Sequence, residues 1–330
     1  MSADDVTDRY ARFARDEAPG RSALYADWAA GVAADPSLAA ILARLPQTRR
    51  QPPLVFAVTR MLGAPEADYD VWAQWVRAHA DEVVAETSTR MLQTNEPQRC
   101  AALLPALARL DGPIALLELG AAAGLCLHPD RYSYRYERGR EIIAVDPSSG
   151  TSPVVLRCRL TGEPALRLPD IVWRTGIDLH PLDARDVGDR AFLEALVWPG
   201  ETGRVERIRA ALDIAASHST PLVRGDATDP ETLRAVAALA PSGVRLVVTT
   251  PGMLPHVPRA GRERLIATLD DLDATWVTID PPTLYDAWDP PVVAAEWGGF
   301  ALGIDRMPVA AVDPLGASVE WRAGDPPGRD

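Results

Sequence analysis

The sequence predicts an α/β protein with a mainly parallel sheet and antiparallel C-terminal strands, preceded by an all-helical N-terminal domain. Two observations indicate this fold class. Apolar side chains recur at helical spacing through residues 1–112, and from residue 113 onward short runs rich in valine and isoleucine alternate with helical stretches. Strands that alternate with helices form βαβ units with right-handed crossovers, which gives a parallel sheet.

The N-terminal domain is predicted to consist of helices that end at a break over residues 111–113. Residues 70–92 carry apolar side chains near helical spacing, which predicts one helix there. Asn95 stands two residues before Pro97, an order typical of a helix start, because asparagine caps helices and proline suits the first turn. The Asp-Gly-Pro sequence at the break places the domain boundary at residue 112.

In the second domain, residues 113–322, apolar runs predict the individual elements. Strands are expected at 114–119, 171–178, 221–225, 244–250 and 275–279. Helices are expected between them at 190–216, 229–240 and 259–273. Three more strand-like runs indicate antiparallel pairing at 300–304, 308–312 and 318–321. An insertion is expected at about 128–168, and residues 323–330 are predicted to form a disordered tail.

Composition favours a cytoplasmic protein that binds neither nucleic acid nor membranes. The net charge of −12 opposes nucleic-acid binding, which needs clustered positive charge. No apolar stretch is long enough to cross a bilayer, and the acidic N-terminus lacks the order of a secretory signal. The three cysteines are too few for a disulfide framework, and no His or Cys pair has metal-ligand spacing. A small-molecule partner is therefore expected, and the oligomeric state stays open.

Missing residue types exclude several reaction classes. The chain contains no lysine, so all 34 basic residues are arginine. This excludes a P-loop lysine, a pyridoxal Schiff base and a lysine general base. No Gly-x-Ser-x-Gly motif is present, which argues against a serine hydrolase.

The segment 114–125 carries the strongest functional signal. An apolar run ends with Glu118, is followed by Gly120 and Gly124, and continues into residues that can start a helix. Gly120 permits a tight turn, and Gly124 permits close approach of a ligand. The pattern fits either a cofactor loop or a plain turn between a strand and a helix.

Acidic residues also follow two later strands. Asp178 ends the second predicted strand, where a carboxylate can accept hydrogen bonds from both ribose hydroxyls. Asp226 ends the third, where it can contact an adenine edge. Each acid alone fits a helix cap or a turn. Since ligands bind at the carboxyl ends of parallel strands, the three acids together favour a nucleoside pocket.

Three stretches, ELGAAAGL, GIDLHPLD and VRGDATD, resemble motifs I, II and III of class I S-adenosylmethionine-dependent methyltransferases. Ala122 stands where motif I has its middle glycine. The resemblance covers roughly residues 113–321 and implies a Rossmann-like methyltransferase fold. The residues that it assigns to the cofactor S-adenosylmethionine are Glu118, Gly120, Ala122, Gly124, Asp178, Asp226 and Ala227.

The whole chain also resembles a bacterial family catalogued as domain of unknown function 2332. The stretches that carry this resemblance include GLCLHPDRYSYRY, GIDLHPLDARD, EALVWPG and LVRGD. The family implies a methyltransferase-like fold behind a helical N-terminal domain, and it implies no established substrate.

Catalytic and substrate residues are expected after the fourth and fifth strands and in the insertion. His256 is a candidate general base, and Asp280 begins an acid-Pro-Pro run similar to a motif of amine methyltransferases. Thr250 is a candidate substrate contact. Tyr132 and Tyr134 belong to an alternating tyrosine run that fits either a packed hairpin or a wall of the substrate pocket.

The predicted function is S-adenosylmethionine-dependent methylation of a small molecule. An alternative is a methyltransferase fold that serves as a ligand sensor or scaffold without catalysis. A third possibility, a nicotinamide-dependent enzyme, fits less well because the third glycine of the dinucleotide fingerprint is missing.

Overall fold

The computed structural model describes residues 3–93, 95–218 and 220–322. Within these ranges, the elements before residue 113 are helices, and strands and helices both occur from residue 113 onward. The chain divides into two compact units. One unit consists of Met1–Thr94 with Arg185–Arg209, and the other of Asn95–Ala184 with Ala210–Asp330. The predicted tail, residues 323–330, lies outside the described residues.

The first unit is helical. Its helices are α1 (Ala3–Asp16), α2 (Ala23–Ala34), α3 (Pro36–Leu42), α4 (Pro52–Met61), α5 (Tyr69–Ala78), α6 (Ala80–Thr89) and α8 (Val187–Ala195). Side-chain caps start several of them. Asp35 accepts hydrogen bonds from the first amides of α3, Asp68 caps α5, and Asp186 caps α8.

Two predicted helices are each two helices in the structure. The single helix predicted at 70–92 is interrupted at His79, which has non-helical backbone angles and joins α5 to α6. The helix predicted at 190–216 is interrupted after α8, and α9 covers Arg204–Ser217. Pro199 and Gly200 lie in this break, and Gly200 has a left-handed φ of 100°. Proline and glycine disfavour a continuous helix, and this signal was missed in the sequence.

Aromatic rings form the centre of the helical unit. The ring of Phe56 lies 4.8 Å from Tyr25, 5.4 Å from Trp28 and 5.5 Å from Trp72, centroid to centroid. Trp28 and Trp72 stack at 4.8 Å with an interplanar angle of 15°. All four side chains are fully buried. Helical packing in this unit therefore depends on one aromatic cluster with Phe56 in its middle.

The second unit contains an eleven-stranded sheet in its described residues. The strands are β1 (Pro113–Leu119), β2 (Ser133–Arg138), β3 (Glu141–Val145), β4 (Val155–Thr161), β5 (Asp170–Asp178), β6 (Leu222–Arg224), β7 (Arg245–Pro251), β8 (Ala274–Asp280), β9 (Phe300–Ile304), β10 (Met307–Val312) and β11 (Ser318–Trp321). Their order is β3-β2-β4-β11-β10-β9-β8-β7-β1-β5-β6.

Most neighbouring strands in this sheet are parallel. Strands β6, β5, β1, β7 and β8 are parallel neighbours, whereas β9, β10 and β11 continue the sheet in antiparallel pairs. The prediction of an α/β fold with a mainly parallel sheet is confirmed. The segment predicted as an insertion contributes β2, β3 and β4, which extend the sheet beyond β11.

Helices pack against this sheet and connect its strands. The second unit contains α7 (Cys100–Leu107), α10 (Pro230–Ala237), α11 (Arg259–Asp271) and α12 (Ala294–Trp297). One buried cluster joins β1, β7 and β8 to α10 and α11 through Leu117, Val248, Trp276, Leu233 and Leu265. Short 3-10 helices lie at Gln47–Arg49, Pro97–Arg99, Leu125–Leu127, Pro129–Arg131, Leu254–His256 and Pro282–Leu284. In the described ranges, no helix combines the length and the apolar character needed to span a membrane.

Replacing Phe56 by alanine tests the aromatic cluster. We expect Phe56→Ala to lower the free energy of unfolding by about 3–5 kcal/mol, because the substitution removes a fully buried ring that contacts its neighbours on several sides. Urea unfolding followed by circular dichroism measures the change. The control Val71→Ala alters a side chain that is 44% exposed, and its effect should stay within about 0.5 kcal/mol. Equal effects of the two substitutions would contradict a central role of Phe56.

Candidate functional site

The loop after β1 turns sharply and does not lead into an α-helix. Gly120 and Gly124 have left-handed φ angles of 74° and 73°. The Gly120 amide donates to Ile177 O over 2.8 Å, which ties the loop to β5. After Gly124 the chain forms two 3-10 helices and then β2. The predicted helix start is therefore wrong, because Pro129 disfavours the α conformation at the residue before it.

Ala122 has a left-handed backbone conformation in the middle of this loop. Its φ is 50°, in the left-handed region that alanine rarely adopts. The Ala122 amide donates to Asp178 Oδ2 over 2.8 Å, and its carbonyl accepts from the Leu182 amide over 3.0 Å. These two bonds hold the strained residue in place. Ala122 therefore has a backbone conformation that glycine adopts more easily than alanine does.

Asn95 braces the same loop from the other side. Its Nδ2 donates to Ala121 O over 3.1 Å, and its Oδ1 accepts from the Leu125 amide over 3.2 Å. The prediction that Asn95 caps a helix is wrong, since Glu96 takes that role by accepting from the Gln98 amide. The one sequence signal for this role was that Asn95 is the only asparagine in the chain.

The acids predicted to bind a nucleoside lie at the carboxyl ends of β5 and β6. Asp178 is the last residue of β5, and its Oδ1 accepts from the His180 amide over 2.8 Å. Asp226 follows β6, is exposed, and accepts the amide and the hydroxyl of Thr228 at Oδ1, both over 2.8 Å. Ala227, next to it, is buried. Both carboxylates therefore stabilise the turns in which they lie.

Glu118 lies inside β1 with an exposed fraction of only 1%. Its Oε2 has no hydrogen-bond partner among the described residues. Burial raises the pKa of Glu118 well above its ordinary value, with further increases from Cys126 and Asp178, and Arg99 opposes the shift. Thr249 is its register partner on β7, so the two side chains lie side by side on one face. The Oγ1 of Thr249 also has no partner in the described part of the chain.

Arg99 is a buried cation at this end of the sheet, and the sequence analysis missed it. It follows Pro97 in a 3-10 helix, and its Nη1 donates to Pro251 O over 2.8 Å. Gly252 makes room for it, since a Cβ there would lie 2.7 Å from Arg99 Nη2. Its charge lowers the pKa values of Glu118 and Asp280. No spacing pattern in the sequence distinguishes this arginine from the other 33.

Asp280 ends β8 and is also buried. Burial raises its pKa to about 8, against the opposing effects of the Thr278 hydrogen bond and Arg99. Its Oδ2 accepts from Thr278 Oγ1 over 2.7 Å, whereas its Oδ1 has no partner among the described residues. Thr250, the predicted substrate contact, donates to Thr278 and accepts from Trp276 Nε1. Thr250 has no exposed surface and belongs to a chain of hydrogen bonds that ends at Asp280.

His256 lies in the short helix that follows β7. Partial burial and the positive charge of Arg99 lower the pKa of His256 below 6.5. The imidazole is therefore neutral at neutral pH and able to accept a proton. The positive charge of Arg99 thus lowers the pKa values of three groups, Glu118, Asp280 and His256. These groups lie at or after the ends of β1, β8 and β7.

The tyrosines predicted to line a substrate pocket are fully buried. Tyr132 donates its hydroxyl to Leu125 O over 2.6 Å, and Tyr134 donates to Pro129 O over 2.5 Å. Tyr134 stacks on Tyr136 at 6.1 Å. These contacts attach β2 to the loop after Gly124. In this conformation neither ring offers surface to a ligand.

No group of His, Cys, Asp and Glu residues suited to a metal ion occurs in the described ranges. The candidate site consists of the left-handed loop, the carboxyl groups of Glu118, Asp178, Asp226 and Asp280, the buried guanidinium of Arg99 and the imidazole of His256.

Substituting glycine for Ala122 tests the strain in the loop. Left-handed alanine is unfavourable by about 1–2 kcal/mol, and glycine adds less than that in unfolded-state entropy, so Ala122→Gly should raise the free energy of unfolding by about 0.5–1 kcal/mol. Chemical denaturation measures it. The neighbouring control Ala123→Gly lacks this strain and should lose about 1 kcal/mol. A similar loss in both variants would contradict the strain at Ala122.

The raised pKa of Asp280 predicts a pH dependence of stability. The unfolded chain loses this proton near pH 4, whereas the folded protein keeps it to about pH 8. The folded state binds more protons than the unfolded state in this window. The contribution of Asp280 to the free energy of unfolding therefore falls as pH rises from about 4 to about 8, and it is constant above about pH 8. Asp280→Asn removes the titration, so the variant's free energy of unfolding should decline less over this range than that of the wild type. Identical slopes in urea unfolding across the window would contradict the shift.

Comparison with known proteins identifies the family without a function. Neither the curated proteins nor the solved structures yield a significant match. A family model described as "Uncharacterized protein conserved in bacteria (DUF2332)" matches residues 7–321. Because this match spans nearly the whole sequence, the chain belongs to that bacterial family, DUF2332.

Proposed function

We propose that the chain binds S-adenosylmethionine at the carboxyl ends of β1, β5 and β6 and transfers its methyl group to a small molecule. The observation that carries the proposal is the buried Glu118 carboxyl, whose Oε2 lacks a partner in the described residues beside the left-handed loop. A buried acceptor without a partner is unfavourable by about 1–3 kcal/mol. A ligand that brings an ammonium group to Glu118 satisfies it.

The strand order supports this location. Among the five parallel neighbours, the order β6-β5-β1-β7-β8 has the first strand in the middle, so chain order reverses at β1. Doubly wound α/β folds share this arrangement and bind ligands at the reversal. A class I methyltransferase fold is the finer form of the proposal. Such a sheet is expected to continue into antiparallel strands, and β9, β10 and β11 follow β8 in antiparallel pairs.

The carboxylates at the reversal fit an adenosyl group. Each oxygen of a carboxylate accepts up to two hydrogen bonds, so Asp178 can hold the loop and still accept from a ribose diol. Asp226 uses Oδ1 for Thr228 and is exposed, which leaves Oδ2 for the exocyclic amine of adenine. Glu118, Asp178 and Asp226 would thus hold the ammonium, ribose and adenine portions.

Catalysis by this arrangement needs alignment more than strong bases. S-adenosylmethionine supplies a methyl group on a positively charged sulfur, which an aligned nucleophile attacks directly. His256, neutral at neutral pH because its pKa is lowered, would take the proton from the acceptor. Asp280, with a pKa of about 8, would keep its proton and donate a hydrogen bond that positions the acceptor.

A non-catalytic ligand sensor is the second candidate. The observation that favours it is that two amides of the loop already have hydrogen-bond acceptors. Asp178 accepts from the Ala122 amide, and Asn95 accepts from the Leu125 amide. No α-helix directly follows Gly124 to offer further amides, because two 3-10 helices lie within residues 125–131. Binding without turnover would support this candidate over the enzyme.

Calorimetric titration with S-adenosylmethionine, S-adenosylhomocysteine and NADH tests the proposal. We expect the first two to bind and NADH not to bind. Asp226→Asn keeps an acceptor for Thr228 but presents an amide to adenine, so affinity should fall about ten-fold. The control Asp229→Asn makes the same charge change three residues away, and asparagine still caps α10, so its affinity should equal that of the wild type. Absence of binding to both sulfur compounds would refute the proposal.

A further inference from the structure

Strand β3 lies at one edge of the eleven-stranded sheet, and its outer side has no neighbouring strand in the described residues. Its inner side pairs with β2 in antiparallel register without a bulge. Edge strands are usually protected from further pairing by proline, a bulge or charged side chains. The sequence of β3, Glu-Ile-Ile-Ala-Val, contains no proline, its one charged residue, Glu141, pairs with Arg138 over 2.9 Å, and Ile142 is 59% exposed. Strand β3 therefore exposes an edge with which another strand can pair.

The turn between β2 and β3 decides which backbone groups of β3 point outward. Arg138 and Glu141 are register partners on either side of a two-residue turn, and the pair that closes such a turn exchanges backbone hydrogen bonds. Bonded and non-bonded pairs alternate along antiparallel strands, so every second residue after Glu141 also bonds to β2. The residues between them, Ile142 and Ala144, therefore point their amide and carbonyl groups away from β2.

A second copy of β3 fits this edge in antiparallel orientation, with Ile143 of both copies at the two-fold axis. Ile142 of one copy then faces Ala144 of the other, and each facing pair exchanges two backbone hydrogen bonds because both residues have outward groups. A shift of the second copy by one residue would bring outward groups against residues that already bond to β2. A shift by two residues in either direction would shorten the paired part of β3. The pattern of β3 therefore favours one symmetric register.

Opposite charges flank β3 and meet in the same register. Arg140, just before β3, faces Asp146 of the second copy, just after β3, and the two-fold symmetry repeats the pair. Arg140 is exposed and has no carboxylate partner in the described part of the chain. Asp146 accepts from Arg135 over 3.0 Å and from Ser133. A carboxylate offers about four acceptor sites, so Asp146 can also accept from a second guanidinium.

We propose that two copies of this chain pair through β3 and form a symmetric dimer with one continuous sheet. The occupant of this edge is a second copy because the edge complements itself in backbone hydrogen bonds, in apolar side chains and in charge. At the other edge of the sheet, β6 is only three residues long, so pairing stops at the dimer. A single pair of short strands buries little surface, so the dissociation constant should be on the order of 0.1 mM. This proposal does not depend on S-adenosylmethionine.

Sedimentation equilibrium at protein concentrations up to about ten times that dissociation constant tests the proposal. We expect the average mass to rise with concentration from 35.6 kDa toward twice that value and no further. Raising the salt concentration from about 0.05 M to about 0.5 M should weaken association, because exposed ion pairs are screened. A mass that stays at 35.6 kDa at every concentration, or growth beyond a dimer, overturns the proposal.

Two variants test whether association uses the edge of β3. Ala144→Pro removes an outward N–H and no bond to β2, and proline is tolerated where the amide of an edge strand faces solvent, so the variant should fold but stay monomeric. Ile142→Lys adds a positive charge at an exposed position beside Glu137 and should weaken association at least about ten-fold. The control Leu239→Lys alters a side chain that is 64% exposed after α10, and association should not change. Unchanged circular dichroism verifies folding, and association that persists in both β3 variants contradicts the proposal.

A double-mutant cycle tests the register. Arg140→Gln and Asp146→Asn should each weaken association about three-fold to ten-fold, because the dimer contains this ion pair twice. The double variant should be little weaker than either single variant, since the two side chains act on each other. The control Arg245→Gln makes the same charge change at an exposed arginine at the start of β7 and should leave association unchanged. Fully additive effects of the two substitutions would overturn the proposed register.

Discussion

The hydrogen bonds that close the loop after β1 are the interactions on which the geometry of the candidate site depends. Asp178 fixes Ala122 in a left-handed conformation, and Asn95 ties both ends of the loop to the segment before α7. Without these side chains, the strain at Ala122 and the buried loop amides would favour a different path. The same bonds keep the ends of β1 and β5 next to each other, with Glu118 between the loop and β7.

Buried charge is the second constraint on this end of the sheet. Two carboxyl groups, Glu118 and Asp280, have raised pKa values because burial disfavours their charged forms. Arg99 opposes both shifts, and it is anchored to the end of β7 through Pro251. The result is two carboxyl groups at this end of the sheet whose neutral, protonated forms are favoured by burial. Perturbed acids of this kind concentrate at functional sites.

Sequence patterns located the sheet well because strands β1, β5, β6, β7 and β8 are short apolar runs between clear breaks. They also singled out Glu118, Asp178, Asp226 and Asp280, which lie at or just after the ends of β1, β5, β6 and β8, while the binding and catalytic roles assigned to them stay predictions. They missed the brace at Asn95 and the cation at Arg99, because both act through contacts distant in sequence, with Ala121 and Pro251. The loop's exit was also missed. A glycine pattern normally precedes a helix, and here Pro129 and the tyrosines of β2 direct the chain into a strand.

Proton release on ligand binding tests whether Glu118 receives the cationic group of S-adenosylmethionine. Calorimetry at mildly acidic pH, in buffers of different ionisation enthalpy, counts the protons released on binding. We expect proton release by the wild type and by Asp280→Asn, and loss of that release in Glu118→Gln, since a neutral Glu118 must ionise to hold the ammonium group. Binding without proton release, or the same release from Glu118→Gln, would contradict it.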